Sequence, residues 1–340
     1  MSSSDGNAPL LVAENISKSF PVRRSLTQVL ERAPRQRLTA VDDVSLKLYR
    51  GQVLGIVGES GSGKSTIAYC LVRLLQLDSG KVLIGPEDMH LVHGDALREL
   101  RRHIQLIFQD PYSSLNPRLT VGRAVGEPAR VHNLVDRAGE TDLVAQLLER
   151  CGLRPQDAAR YPRQLSGGQR QRVAIARALS TNPEILIADE AVSALDVSVQ
   201  AQILNLLAEL QSDLGVGIIF ITHQLAVISH LATDVVVLYL GRVMESGPVA
   251  AVLGESRHPY TRGLLQAQPA LRGPRTKRRP ALTGELPSAL AVPSGCRFHT
   301  RCPLAEPICS EVDPAPVEVS PGHVSRCHVL APGDGHVPAV

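Results

Sequence analysis

Long apolar runs are missing from this chain: nowhere in its 340 residues do 18 uncharged apolar residues follow one another, and a helix needs about that many to cross a bilayer. The opening MSSSDGNAP carries neither the basic nor the apolar stretch of an export signal. A chain that stays in the cytosol is therefore the expectation. Charge of one sign is scarce as well. Lys and Arg number 36 against 33 Asp and Glu, a formal charge of +3, too little to argue for nucleic acid on electrostatics alone. No internal repeat is visible, and no two cysteines are spaced as Cys-x2-Cys. What remains is an ordinary globular composition, 44% hydrophobic and 20% charged, enough for one large core and a smaller second unit.

Strand patterning marks APLLVAENISKSF and VDDVSLKLYRG, with RSLTQVLERAPRQR between them reading as a solvated excursion. QVLGIVGES reads as a buried strand running into a glycine-rich loop, and KSTIAYCLVRLL follows with helical spacing. From Pro111 to about Leu179 the signals turn helical, as in LVAQLLERCGL and QRQRVAIARALS. Strands return at EILIADE and GIIFITH, and VVVLYLGRVMES predicts a hairpin turning at Leu240-Gly241. Alternating strands and helices imply an α/β fold with a mainly parallel sheet, preceded by an antiparallel β region and interrupted by a helical insertion. After about His258 the basic, proline-rich LRGPRTKRRP marks a linker into a small C-terminal unit. The expected division is 1–260, with the helical part at about 111–179, and 261–340.

GESGSGKST fits G-x-x-x-x-G-K-[ST] at Gly58, Gly63, Lys64 and Ser65, between a strand and a helix, the context in which that pattern is a phosphate loop. Glycines let successive backbone N–H groups turn toward one anion, and the helix N-terminus adds its dipole. Gly58, Ser60, Gly61, Ser62, Gly63, Lys64, Ser65 and Thr66 form the candidate cradle, with Lys64 bridging the β- and γ-phosphates and Ser65 reaching Mg²⁺. EILIADE ends in two carboxylates. Asp189 can hold the Mg²⁺ shell, while Glu190, one residue on, can polarise the water that attacks the γ-phosphate.

Cys70 and Cys151 stand alone in apolar or helical contexts and read as inert thiols. Cys296, Cys302, Cys309 and Cys327 crowd into 32 residues. In a reducing cytosol such a group points to metal or iron–sulfur ligation, not to disulfides. All-cysteine ligation suits zinc or a [4Fe-4S] cluster, with His299, His323 and His328 as spare ligands.

With LSGGQ at Leu165 to Gln169 lying between these two phosphate elements, the chain resembles the nucleotide-binding subunits of ATP-binding-cassette (ABC) transporters. The resemblance implies a P-loop NTPase fold and a Mg²⁺-dependent ATPase coupled to transport. It implies that Phe20 stacks on adenine and that Gln109 in LIFQD is the Q-loop glutamine, joining Ser65 and Asp189 at Mg²⁺. SALD at Ser193 to Asp196 corresponds to the D-loop, and His223 to the switch histidine. In that family two cassettes pair head to tail, so Ser166, Gly167, Gly168 and Gln169 would hold the γ-phosphate of the partner's ATP. Ser166 and the N–H groups behind it open a helix, an anion site with no anion in its own chain. One departure is Ala191, where the family commonly has Pro after the catalytic Glu.

FQDPYSSLNPRLTVG, SALDVSVQAQILNLL, HPYTRGLL and PSGCRFHTRCPLAEPIC are similar to the oligopeptide, dipeptide and nickel uptake branch. The resemblance implies a second cassette, a copy or a paralogue, together with two permeases and an extracytoplasmic solute-binding protein. The subunit would sit peripherally on the cytoplasmic face of the membrane, with no nucleic acid as partner. In members with this tail the cysteines resemble iron–sulfur ligands, which favours a [4Fe-4S] cluster over zinc. The competing readings are a soluble ABC-type ATPase that remodels ribosomes or DNA, and a nickel or chelate importer subunit.

Overall fold

The computed structural model describes residues 8–22, 24, 36–267 and 284–329. Most of the excursion over 24–37, and the basic linker over 271–280, lie outside them.

Strands β1 (Leu11–Pro21) and β2 (Arg37–Leu48) pair antiparallel. In β2 the buried Val44, Leu46 and Leu48 alternate with Ser45 and Lys47, the period-two pattern of a strand with one covered face. Next come β3 (Val53–Val57), α1 (Lys64–Leu71), β4 (Ser79–Ile84), β5 (Glu87–Asp88), α2 (Gly94–His103) and β6 (Ile104–Ile107). The helical insertion follows as α3 (Pro111–Ser114), α4 (Val121–Val131), α5 (Arg137–Arg150) and α6 (Gly167–Leu179). Thr120, Asp136 and Ser166 cap the last three by accepting from the N–H groups of Arg123, Gly139 and Gln169, which satisfies donors that a first helical turn leaves unpaired.

The chain then forms β7 (Ile185–Asp189), α7 (Val197–Leu214), β8 (Gly217–Thr222), α8 (Leu225–Leu231), β9 (Asp234–Tyr239), β10 (Arg242–Pro248), α9 (Val249–Gly254) and α10 (Pro259–Ala267). The C-terminal unit adds α11 (Pro307–Glu311), β11 (Val317–Ser320) and β12 (His323–Ser325). Two sheets result. One, ordered β2-β1-β4-β5, is antiparallel; the other is ordered β11-β12-β10-β9-β3-β8-β7-β6. The second sheet is mixed: β9, β3, β8, β7 and β6 run parallel, while β10, β12 and β11 pair antiparallel. The hairpin between β9 and β10 turns at Leu240-Gly241, as its sequence predicts.

Strands β3, β7 and β8 are buried on both faces, so their sequences run apolar without alternation. Ile219 and Ile221 face a core shared with the first sheet and α1, whereas Ile218 and Phe220 face one shared with α6 and α7. Cys296, Phe298 and Cys309 belong to this second core. Among the described residues the C-terminal unit therefore has no separate core; it completes the main one.

Its strand β12 pairs with β10 at Glu245↔Ser325 and Ser246↔Val324. Glu245 is fully buried and close to His323, whose Nε2 lies 2.7 Å from Oε1. The same carboxylate accepts from the N–H groups of Arg257 and His258 and from Ser256 Oγ. A single carboxylate thus ties the HPYTRGLL segment and the C-terminal strand to the sheet.

Candidate nucleotide site

The loop after β3 must pass very close to its neighbours. A Cβ on Gly58 would lie 2.2 Å from the Leu238 carbonyl oxygen. Gly63 adopts φ +100°, and its Cβ would fall 2.0 Å from the Ala40 carbonyl oxygen. Only glycine tolerates both the left-handed backbone and the approach. Helix α1 begins at Lys64, so the loop's N–H groups open onto a helix N-terminus. The Lys64 ammonium is 5% exposed and donates to the carbonyls of Gly58 (2.9 Å) and Glu59 (3.0 Å). Burial lowers its pKa, and Glu190, Asp189 and Glu59 offset part of that shift.

Strand β7 delivers two carboxylates to the same place. Asp189 is 1% exposed; its Oδ1 accepts from Ser65 Oγ at 3.0 Å, and its Oδ2 has no hydrogen-bond partner. Burial raises the Asp189 pKa, and the neighbouring Glu190 charge raises it further against the Ser65 hydrogen bond and Lys64. A buried carboxylate oxygen lacking a donor, beside a serine hydroxyl, is a hard-oxygen set that fits Mg²⁺.

Glu190 gathers the remaining groups. Gln109 Nε2 donates to its Oε2 at 2.9 Å; His223 Nδ1 and Lys64 Nζ lie 3.5 and 4.0 Å from its Oε1. The residue itself has φ +45°, a backbone conformation that costs a non-glycine residue roughly 1 kcal/mol or more and survives where surrounding bonds enforce it. Here its N–H donates to the Ile221 carbonyl, and its own carbonyl accepts from Ser193 N–H and Oγ. The turn aims Glu190 away from Asp189 and toward Gln109 and His223. Buried Ala191 and Val192 follow, and Asp196 caps α7.

Ser166, Gly167, Gly168 and Gln169 stand apart. Ser166 caps α6 and exchanges hydrogen bonds with Gln169, and Ser166 and Gly167 are exposed. Phe20 is at the end of β1, in register with Leu38, with the Lys18 ammonium 5.5 Å from its ring centroid. Leu38 is two residues along the strand from Ala40, the residue that abuts Gly63.

Cys296, Cys309 and Cys327 are buried and Cys302 partly so, all as thiols. Burial pushes Cys296 up to about 11 and Cys302 up to about 12, and the neighbouring cysteines add to both shifts. Among the described residues no three His, Cys, Asp or Glu side chains come together closely enough to hold a metal ion.

One group of contacts has no local signal in the sequence. Arg301, beside Cys302, pairs with Glu59 of the loop across 242 positions. The HPYTRGLL and CRFHTRC segments read as surface or ligand motifs, yet their Tyr260, Arg297 and Arg301 reach toward the phosphate loop.

Fold and site together define a P-loop nucleotide-binding protein. Residues 41–193 match the ABC transporter family, and residues 244–309 match the oligopeptide/dipeptide transporter C-terminal region. The chain is 46% identical to a probable peptide ABC transporter ATP-binding protein of Sinorhizobium fredii, covering 95% of this chain and 90% of that one. It is 45% identical to an oligopeptide transport ATP-binding protein of Bacillus subtilis, covering 95% and 98%. Among solved structures, an ATP-binding cassette captured as a dimer after hydrolysis with ADP and Pi superposes with TM-score 0.62 at 29% identity, covering 70% of this chain and 98% of that one. The chain belongs to the ATP-binding subunits of ABC transporters that carry the oligopeptide/dipeptide C-terminal region, and it is an ATPase that powers transport. Among the described residues no helix is long and apolar enough to cross a membrane.

Proposed function

We propose that this subunit drives import of oligopeptides or dipeptides as one of two head-to-tail cassettes under a pair of permeases fed by an extracytoplasmic solute-binding protein. It would act peripherally at the cytoplasmic face of the membrane. Residues 1–260 would form the cassette, with its helical part at about 111–179, and 261–340 the transporter-type extension. The supporting likeness is the match over 244–309 together with relatives named for peptide transport.

In the ATP site, Gly58 and residues 60–66 would cradle the phosphates, Phe20 would stack on adenine, and Lys64 would meet the β- and γ-oxygens. Mg²⁺ would neutralise phosphate charge, held by Ser65, Gln109 and Asp189. Glu190 would take the proton as water attacks the γ-phosphorus; the bond to the β–γ bridging oxygen breaks, and ADP and phosphate leave. His223 would contact the γ-phosphate, and the partner's copy of Ser166 to Gln169 would close over it. ATP bridges the halves and ADP does not, so turnover alternates closed and open dimers.

We further propose that Cys296, Cys302, Cys309 and Cys327 hold a [4Fe-4S] cluster, with zinc the alternative. Support comes from the sequence, four cysteines within 32 residues; among the described residues no three of them come together closely enough to hold a metal ion, so loading has to draw them together. Loading either group has to displace the thiol protons.

The observation that carries the catalytic reading is the convergence of Gln109, His223 and Lys64 on Glu190. Glu190→Gln keeps the shape and removes the base. We expect ATP binding to persist while turnover falls about a hundredfold, or ~3 kcal/mol of barrier, with an ATP-bound dimer trapped on size exclusion. Near wild-type hydrolysis would remove Glu190 from the base role.

A further inference from the structure

We propose that Arg301 and Tyr260 are positioning residues for ATP binding: through Glu59 they set the shape and charge of the phosphate loop, so the C-terminal unit forms part of the ATP site's scaffold. This rests on the reading of residues 58–66 as the phosphate cradle.

Every polar group of Glu59 is engaged. Its N–H donates to Tyr260 Oη at 3.0 Å. Its carbonyl accepts from Ser62 N–H (3.1 Å) and from the Lys64 ammonium (3.0 Å). Its carboxylate takes a two-pronged grip from Arg301, Nη1 to Oε2 at 2.7 Å and Nη2 to Oε1 at 3.2 Å. The paired geometry fixes orientation as well as distance. Arg301 is itself held, 6% exposed, with its guanidinium carbon 5.8 Å from the Tyr239 ring centroid. Tyr239 packs in turn with Tyr260 and Phe298, ring centroids 4.7 to 5.4 Å apart. Four residues before Arg301, Arg297 grips the far side. It donates to Asp42 and to the Leu240 carbonyl, and the next residue, Gly241, donates its N–H to the Ser62 carbonyl at 2.9 Å. Both ends of the glycine loop are thus braced from CRFHTRC.

Charge makes the arrangement specific to a polyanion. Glu59 puts a carboxylate at the mouth of a site meant for a triphosphate, where an unpaired negative charge would repel the substrate at short, partly buried range. Arg301 cancels it. Loss of Arg301 alone should therefore harm ATP binding more than loss of both partners does, an order that loosened packing would not produce.

The test uses the full chain, measuring ATPase kinetics, binding of MgATP by calorimetry, and thermal melting. Arg301→Gln should raise KM and Kd for ATP about tenfold while kcat changes less than threefold. Glu59→Gln should have a smaller effect, the double variant should resemble Glu59→Gln, and Arg301→Lys should recover part of the loss. Arg326→Gln, which breaks the 3.2 Å pair with Asp43 elsewhere on the C-terminal unit, should leave KM unchanged. If Arg301→Gln does not fold, Arg301→Lys and Glu59→Gln carry the same comparison. Unchanged KM in the Arg301 variants, or an equal rise with Arg326→Gln, overturns the proposal. Lys64→Ala separates the two readings: if it spares ATP binding the cradle assignment fails, whereas its loss of binding beside unchanged Arg301 variants refutes only the positioning role.

Discussion

His258 illustrates how far one side chain can set a pH limit. It is 1% exposed and packed against Phe298, and its Nδ1 accepts the Tyr260 N–H at 3.0 Å, a bond that a proton on that nitrogen would destroy. Burial pushes its pKa from the usual 6.5 down to about 3. The folded state refuses a proton that the unfolded chain accepts, so this histidine costs no stability above about pH 6.5 and subtracts it as pH falls toward 3. The slope is about 1.4 kcal/mol per pH unit. Urea melts between pH 7.5 and 5 should show that loss, and His258→Gln should remove this histidine's share of the slope while lowering stability at neutral pH. An identical slope in the variant would mean that another group titrates. Glu190 is the other residue whose behaviour depends on its surroundings. Its candidacy as a base is legible from EILIADE, but its positive φ is not, because bonds with Ile221 and Ser193 impose it.

Elements that bury both faces, β3, β7 and β8, are legible because short uninterrupted apolar runs, ending in glycine, in carboxylates and in Thr222-His223 respectively, leave little alternative. Strands β11 and β12 are not. They hold four and three residues, VEVS and HVS, and become strands only because β10 offers free pairing groups and Glu245 a buried partner for His323. The Arg301 grip on Glu59 is hidden for the same reason: no local periodicity spans 242 residues. At the helical insertion, a groove of about 390 Å³ opens between β6 and helices α4 and α6, lined by Ile107, Phe108, Ser114, Pro128 and Ala174. Beside it Tyr112 is 58% exposed, with Arg170 over its ring. PYSSLNPRL borders this groove, which suits a short cytoplasmic helix of a permease. A cysteine placed at Ser114 should crosslink to a permease in the assembled transporter. Failure there, with adducts forming from control positions, would move the docking surface elsewhere.

The whole molecule depends on its last described segment in ways that its composition understates. Four cysteines in a short proline-rich stretch suggest a module needing metal in place of a core, yet Phe298, Cys296 and Cys309 lodge in the main core. The proposed metal would then be an addition to a packed unit. Anaerobic purification followed by iron, sulfide and zinc analysis should find about four iron and four sulfide per chain. Zinc without sulfide would replace the cluster by a zinc site, and neither would leave the four thiols without a metal role.

The pairing of β12 with β10 carries a separate consequence for handling the protein. With β12 and β11 in place, the sheet ends in a strand of four residues, Val317–Ser320, bearing the charged Glu318, a poor template for further strands. A chain cut after Ala267 would instead end in β10, seven residues long and buried along Met244 and Glu245. That raw border invites strand addition from another copy, so such a truncation should form soluble aggregates or filaments, in addition to losing the Arg297 and Arg301 braces of the phosphate loop.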